Sequence, residues 1–310
     1  LKNTADAVRL VRGIQRAAAL KGGLPLFIGA DQEGGNITRL GQGTCLPGNM
    51  AIGAAGSTEY AYEAGAVTGR ELHAVGLNVN FSPVADVNDN PENPIINLRS
   101  FGSDPDKVSQ MAVSMARGIE SAGVVPVGKH FPGHGNTSSD SHTSLPRVEK
   151  DLDVLREIEL KPFQALIDAG IQMLMCAHIQ FPALDSTTFR SISDGQEAVV
   201  PATFSRAILR DLLRGEMGFD GVIITDAMNM DAIAKNITPA DAVVRALAAG
   251  ADMICMPVEL RSPSDAARIE EIILAVVDAL QQGYLSQAEL DQSVERVVRL
   301  KIKTGLMDVK

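Results

Sequence analysis

Residues 124–142 read VVPVGKHFPGHGNTSSDSH, and the fold turns on the change of character within them. Val124, Val125, Pro126 and Val127 form an apolar, β-branched run that predicts a buried strand. The residues that follow are rich in Gly, Ser, Asn and Asp and predict a loop. Three of the chain's five histidines, His130, His134 and His142, fall in this stretch together with Lys129 and Asp140. Titratable groups gathered where a strand gives way to a loop point to chemistry, because parallel α/β folds build their sites at the carboxyl ends of strands.

The same alternation continues outward on both sides. Upstream, helical spacing over residues 4–20 precedes a short apolar run from Leu26 to Ala30. A second helix over Ala61 to Val75 leads into a strand over Val79 to Val84, and a polar loop from Asp86 to Ser103 leads into a helix over about 106–121. Downstream, a helix over about 151–169 is expected to break or restart at Pro162. Strands follow at Met173–Ala177, Val222–Thr225 and Met253–Met256. Ser205 is placed to cap a helix that runs to Glu216, and Thr238-Pro239 opens one that stops at Gly250. Helices over about 265–281 and 287–303 finish the chain. Strands alternating with helices, without a linker or a shift in composition, predict one α/β domain over residues 1–310, with a parallel sheet and a TIM-type (β/α)8 barrel as the leading architecture. Six strands are evident where a closed barrel needs eight. The chain starts at Leu1 with neither an initiator Met nor a charged-then-apolar leader, and the expectation is that either strands precede Leu1 in the full protein or the sheet is incomplete.

Composition narrows the classes of partner. The formal net charge of −10 argues against nucleic acid, whose phosphates call for clustered Lys and Arg, and favours a neutral or cationic ligand. No apolar stretch approaches the ~20 residues of a membrane span. Cys45, Cys176 and Cys255 lack CxxC spacing, and the last two sit in apolar strand-like runs, so they read as buried free thiols. Compartment and oligomeric state are left open.

Asp31 closes the first strand and is followed by Gln32-Glu33-Gly34-Gly35, whose glycines let backbone approach a ligand. Asp226 directly follows four apolar or β-branched residues, where a carboxylate is costly to desolvate without a partner or a purpose. Asp140 and His142 are two apart, so in extended backbone they project to one side. A carboxylate behind imidazole makes a general acid-base suited to neutral pH. Lys129, His130, Arg99 and Arg39 are placed to bind hydroxyls, although each taken alone reads equally as a surface ion pair. His134 reads as loop support, and His73 and His178 as packed or exposed rather than catalytic. A glycosidase normally uses two carboxylates, but here His142, backed by Asp140, can serve as the acid and Asp226 as the nucleophile.

These residues resemble glycoside hydrolase family 3, in particular its bacterial β-N-acetylglucosaminidases. The resemblance rests on DQEGG at 31–35 with Arg39, NPIINLRSFGSDP at 93–105, KHFPGHGNTSSDSH at 129–142, AHIQFPALD at 177–185 and GVIITDAMNMDAI at 221–233. It covers nearly the whole chain. It implies a TIM-type barrel and retaining hydrolysis of terminal β-linked N-acetylglucosamine, for instance from cell-wall fragments, without metal or cofactor. By position, Asp226 matches the nucleophile, His142 the acid-base and Asp140 its partner, while Asp31, Arg39, Arg99, Lys129 and His130 match positions that hold the sugar. Longer relatives carry a C-terminal domain, which is not expected within these 310 residues.

Three rival readings stand beside this one. His130, His134, Asp140 and His142 have the ligand types of a zinc hydrolase. A sugar-binding module would keep the pocket without turnover. Finally, a neutral histidine repels phosphate less than a carboxylate does, which suits transfer of the glycosyl group to phosphate instead of water.

Overall fold

The computed structural model describes residues 3–20, 22–138 and 145–308. Helix α1 (Thr4–Leu20) leads to β1 (Gly29–Ala30), and α2 (Asn49–Ala55) and α3 (Thr58–Ala74) lead to β2 (Val79–Asn80). Helix α4 (Pro105–Ser121) precedes β3 (Val125–Phe131), and α5 (Leu152–Glu157) and α6 (Leu160–Asp168) precede β4 (Met173–Cys176). A hairpin of β5 (Thr188–Arg190) and β6 (Glu197–Val199) and a wide-turned helix, Ala207–Glu216, come before β7 (Val222–Thr225). Helices α7 (Asp231–Ala234), α8 (Pro239–Ala249), α9 (Ala266–Gln281) and α10 (Gln287–Lys303) follow.

Five strands lie parallel in the order β1-β2-β3-β4-β7, and Met253 pairs in parallel with Ile224 beyond them. Six expected parallel segments thus stand side by side in chain order with helices between them, the wall of a TIM-type (β/α)8 barrel. Strands β2, β3, β4 and β7 are buried on both faces, which is why they read as continuous apolar runs. Val79, Val125, Val127, Met173, Met175, Val222 and Ile224 form the inner cluster, with Phe27, Phe81, Met253 and Cys255 packed against it. Leu174, Cys176 and Ile223, one residue out of step, belong instead to the outer core beneath the helices. Leu300 and Val297 of α10 join the inner cluster near the start of β3, opposite the end where the strands turn into loops.

Local chemistry sets the helix ends. Asp104 accepts from the N–H of Asp106 at 2.9 Å ahead of Pro105, Thr238 accepts from Asp241 ahead of Pro239, and Ser286 caps α10. The Ser205 hydroxyl accepts from the Ile208 N–H at 3.1 Å, the cap expected from the sequence. Pro162 falls in the first turn of α6, so the expected helix over 151–169 is two helices, since proline suits a first turn but breaks an interior one. Helix α2, the short α7 and the β5–β6 hairpin were not expected from periodicity. They are too short for a periodic signal and owe their form to what they pack on. Residues 253–256 pair only through Met253 among the described residues.

Helices α3 and α4 approach closely because small residues face each other. A methyl at Gly118 would lie 2.1 Å from the Tyr62 carbonyl oxygen. Alanine normally favours a helix interior by about 0.5–1 kcal/mol over glycine. At this contact the clash dominates, so Gly118→Ala is expected to destabilise the fold by about 1–3 kcal/mol. Gly13→Ala in α1, where open space surrounds the position, is expected to stabilise it slightly. Urea unfolding of both variants measures the difference, and equal midpoints would contradict the close-packing account.

Candidate active site

The inward positions of the wall change character at its carboxyl end. Counting by twos, Val125 and Val127 lead to Lys129, Val222 and Ile224 lead to Asp226, and Phe27 leads through Gly29 to Asp31. An apolar interior is thus topped by charged groups. They line a cavity of about 440 Å³ together with Glu33, Arg39, Arg99, His130, His134, Asn229 and Asp231, and with Ile37, Ile95 and Met230 as apolar wall. Six of the eight candidate residues meet there: Asp31, Arg39, Arg99, Lys129, His130 and Asp226. The other two, Asp140 and His142, lie outside the described residues. A neighbouring cavity of about 500 Å³ shares Glu33, Ile37, Ile95 and Arg99 but adds no further titratable group, so the chemistry is assigned to the first.

Lys129 is 1 % exposed, too deep for an unpaired ammonium. Its Nζ lies 2.7 Å from Asp31 Oδ1 and 2.6 Å from Glu33 Oε1. Burial alone would lower its pKa, but the Glu33 and Asp31 charges outweigh burial and hold it above the ordinary lysine value, as a cation. Glu33 also receives both arms of Arg99, Nε at 2.9 Å and Nη2 at 2.8 Å. Burial pushes the Glu33 carboxyl up, yet the charge of Lys129 and the hydrogen bonds and charge of Arg99 bring it down to about 2. Arg39 sits at the exposed rim, 3.7 Å from Asp31.

Arg99 Nη2 also lies 3.3 Å from His130 Nε2, and His130 Nδ1 lies 2.7 Å from Asp86 Oδ2. Asp86 is fully buried and additionally accepts from the backbone N–H of His130 and of His134. His134 is buried as well, and burial followed by the His130 charge lowers its pKa to about 4. Its ring lies 2.8 Å from the Thr137 hydroxyl, a contact within the loop.

Asp226 is partly exposed to the cavity, and its Oδ1 accepts from the Ala227 N–H at 2.7 Å. Burial would raise its pKa, but the charges of His130 and His178, the Ala227 hydrogen bond and the Lys129 charge together lower it below the ordinary aspartate value. The carboxylate is therefore ionised and able to act as a nucleophile. His178, read from sequence as packed or exposed, is buried. Its Nε2 lies 3.1 Å from the Ala227 carbonyl, which can only accept, so the ring braces the residue next to Asp226. His73 is exposed on α3 and does not line the cavity. Cys176 is buried and Cys255 partly so, and burial raises both thiols to about 12.

Residues 1–300 match the family model described as the glycosyl hydrolase family 3 N terminal domain. The chain belongs to that family. Among relatives of this glycosyl hydrolase family 3 chain, beta-hexosaminidase A of Pseudoalteromonas piscicida is 42 % identical over 98 % of this chain and 52 % of its own length. The structure of a family 3 beta-N-acetylglucosaminidase from Paenibacillus sp. superposes with a TM-score of 0.89 at 40 % identity, covering 99 % of this chain and 56 % of that one. A beta-glucoside phosphorylase superposes with a TM-score of 0.86 at 30 % identity, covering 98 % of this chain and 52 % of that one. The chain spans about half the length of the curated relatives that it matches over nearly its whole length.

Glu33 and Asp86 were not among the residues singled out from the sequence. Glu33 stands inside the quoted DQEGG, two residues from Asp31, so strand parity directs it inward too; nothing local marks Asp86. Glu33 also yields a pH signature. Its folded pKa of about 2 lies below the ordinary 4.5, so the unfolded chain binds more protons between these values, and stability falls as pH falls through that window. The linked contribution is on the order of 3 kcal/mol. Glu33→Gln is expected to flatten this acid limb. At neutral pH it is expected to cost about 3–5 kcal/mol, because it leaves Lys129 and Arg99 short of a counter-charge. Denaturant unfolding as a function of pH measures both effects, and an unchanged acid limb would count against the network.

Proposed function

We infer that this chain carries the catalytic barrel of a retaining exo-glycosidase that hydrolyses terminal β-linked N-acetylglucosamine from cell-wall-derived or related glycosides. One observation carries the inference: an ionised Asp226 at the carboxyl end of β7, facing a cavity ringed by Lys129, Arg99 and Asp31. The choice of sugar is supported by the relatives described as beta-hexosaminidase A and beta-N-acetylglucosaminidase.

In the proposed cycle an Asp226 oxygen attacks the anomeric carbon as the glycosidic bond breaks. The bonding pair goes to the leaving oxygen, which takes a proton from His142 with Asp140 behind its ring. A glycosyl-aspartyl ester results. Neutral His142 then takes a proton from water, whose oxygen attacks the anomeric carbon and releases the Asp226 carboxylate, so configuration is retained. Arg99 and Lys129 donate to sugar oxygens, Asp31 accepts from hydroxyls, and Arg39 contributes charge at the rim. The cycle uses neither metal nor cofactor.

A second reading, transfer to phosphate, is favoured by the likeness to a beta-glucoside phosphorylase. It differs only in the second step, where a phosphate oxygen takes the place of water and a glycosyl 1-phosphate is released.

Release of p-nitrophenol from its β-N-acetylglucosaminide tests the activity, and product analysis with and without phosphate separates the two acceptors. Asp226→Asn is expected to lower kcat at least about 10³-fold. His142→Ala is expected to slow poor leaving groups far more than good ones, since only the former need protonation; equal losses would remove His142 from the acid role. A chelator is expected to leave turnover unchanged, and loss of activity restored by zinc would favour the metal-dependent reading.

A further inference from the structure

We propose that Asp86 is a positioning residue that fixes His130 with its proton on Nδ1, so that Nε2 accepts from Arg99 and holds the guanidinium in place at the sugar cavity. The proposal rests on the reading of that cavity as a sugar site and gives His130 a part in it through Arg99.

The two ring nitrogens of His130 are constrained independently. Nδ1 lies 2.7 Å from Asp86 Oδ2. Asp86 is fully buried, and its carboxyl lies below the usual aspartate range: burial opposes ionisation, but the hydrogen bonds of the His130 ring and of the His130 and His134 N–H groups favour the carboxylate. An ionised carboxylate has no proton to give, so Nδ1 must carry one. At the other end of the ring, Nε2 lies 3.3 Å from Arg99 Nη2. A guanidinium only donates, so in the neutral ring Nε2 accepts. Each neighbour alone selects the same tautomer, assigned here from the hydrogen-bond network.

The consequence concerns Arg99. His130 Nε2 accepts from it on one side and Glu33 on the other, at 2.9 and 2.8 Å, so the guanidinium is held in one orientation at the cavity. A proton on Nε2 would set donor against donor and displace the guanidinium from the place where it donates to sugar oxygens.

A purely structural role for Asp86 is the competing explanation, because its Oδ1 also accepts from the His130 N–H at 3.1 Å and the His134 N–H at 2.7 Å. Asp86→Asn separates the two. An amide oxygen can still take both backbone donors, but the amide nitrogen then faces Nδ1 and forces the ring proton to Nε2, against Arg99.

The first measurement needs no variant. Nitrogen-15 NMR of the histidine-labelled protein at about pH 8, with His130 assigned by its loss in His130→Phe, is expected to show Nδ1 protonated and Nε2 bare. An Nε2-protonated or doubly protonated ring overturns the proposal even if Asp86→Asn fails to fold. In a folded Asp86→Asn protein the proton is expected to move to Nε2. Its kcat/KM on the p-nitrophenyl β-N-acetylglucosaminide is expected to fall about 10- to 100-fold, the size of one lost charge-assisted hydrogen bond. In the His130→Phe background the same substitution is expected to cost less than about 3-fold more. Equal losses in both backgrounds would assign Asp86 to the scaffold alone and overturn the proposal. Absence of turnover in the unsubstituted protein would instead sink the glycosidase reading, while the nitrogen spectrum would still decide the Asp86–His130 pairing.

Discussion

The deeply buried ammonium of Lys129 is the constraint around which the site is organised. A cation this far from water must be neutralised nearby, and Asp31 and Glu33 do so at 2.7 and 2.6 Å. Glu33 is itself too buried for one partner to suffice, so Arg99 grips its other face. Arg99 then leans on His130, and His130 on Asp86. The result is a continuous polar chain from the rim at Arg39 to the floor at Asp86. Removing any member leaves its neighbours short of a partner, and this mutual dependence holds each side chain in one orientation before a ligand arrives. Such preorganisation is what a site needs if its dipoles are to act without rearranging during a reaction.

The barrel makes room for this chain by dividing its interior into layers. Below, Val125, Val127, Met173, Met175, Val222 and Ile224 fill the space with apolar side chains, and Leu300 of α10 closes the end away from the site. Above, the same inward-pointing positions carry Lys129, Asp226 and Asp31. Burial of the apolar layer and of the outer core under the helices supplies the free energy that the ionic layer costs. The close approach of α3 and α4 through Gly118 serves the same outer core.

The ionisation states follow from this arrangement. Asp226, Glu33 and Asp86 all stay charged despite burial because cations or hydrogen-bond donors converge on each of them. His134, with a histidine beside it, goes the other way and stays neutral to about pH 4. The contrast between a charged Asp226 and a neutral loop histidine is set by neighbours, not by residue type.

Much of this was legible in the sequence. The apolar runs ending at Ala30, Val127 and Thr225 and the run over Met253–Met256 marked parallel wall segments, and the carboxylates directly after two of those runs, Asp31 and Asp226, marked the mouth. Capping residues such as Ser205 and Thr238 fixed helix starts, because a cap acts within three residues of itself. Hydrophobic periodicity reports which face of a local element is buried, so it determined the wall, the helices and the end of the barrel that holds the site. It carries no information on pairings across the barrel. Glu33 meets Arg99 across 66 positions and Asp86 meets His130 across 44, and only the closure of strands side by side brings them within hydrogen-bond reach. That is why Lys129, equally readable alone as a surface ion pair, became the buried centre of the site. Tertiary structure alone decided which charges neutralise which, since that choice depends on distance in space and not on neighbours in the chain.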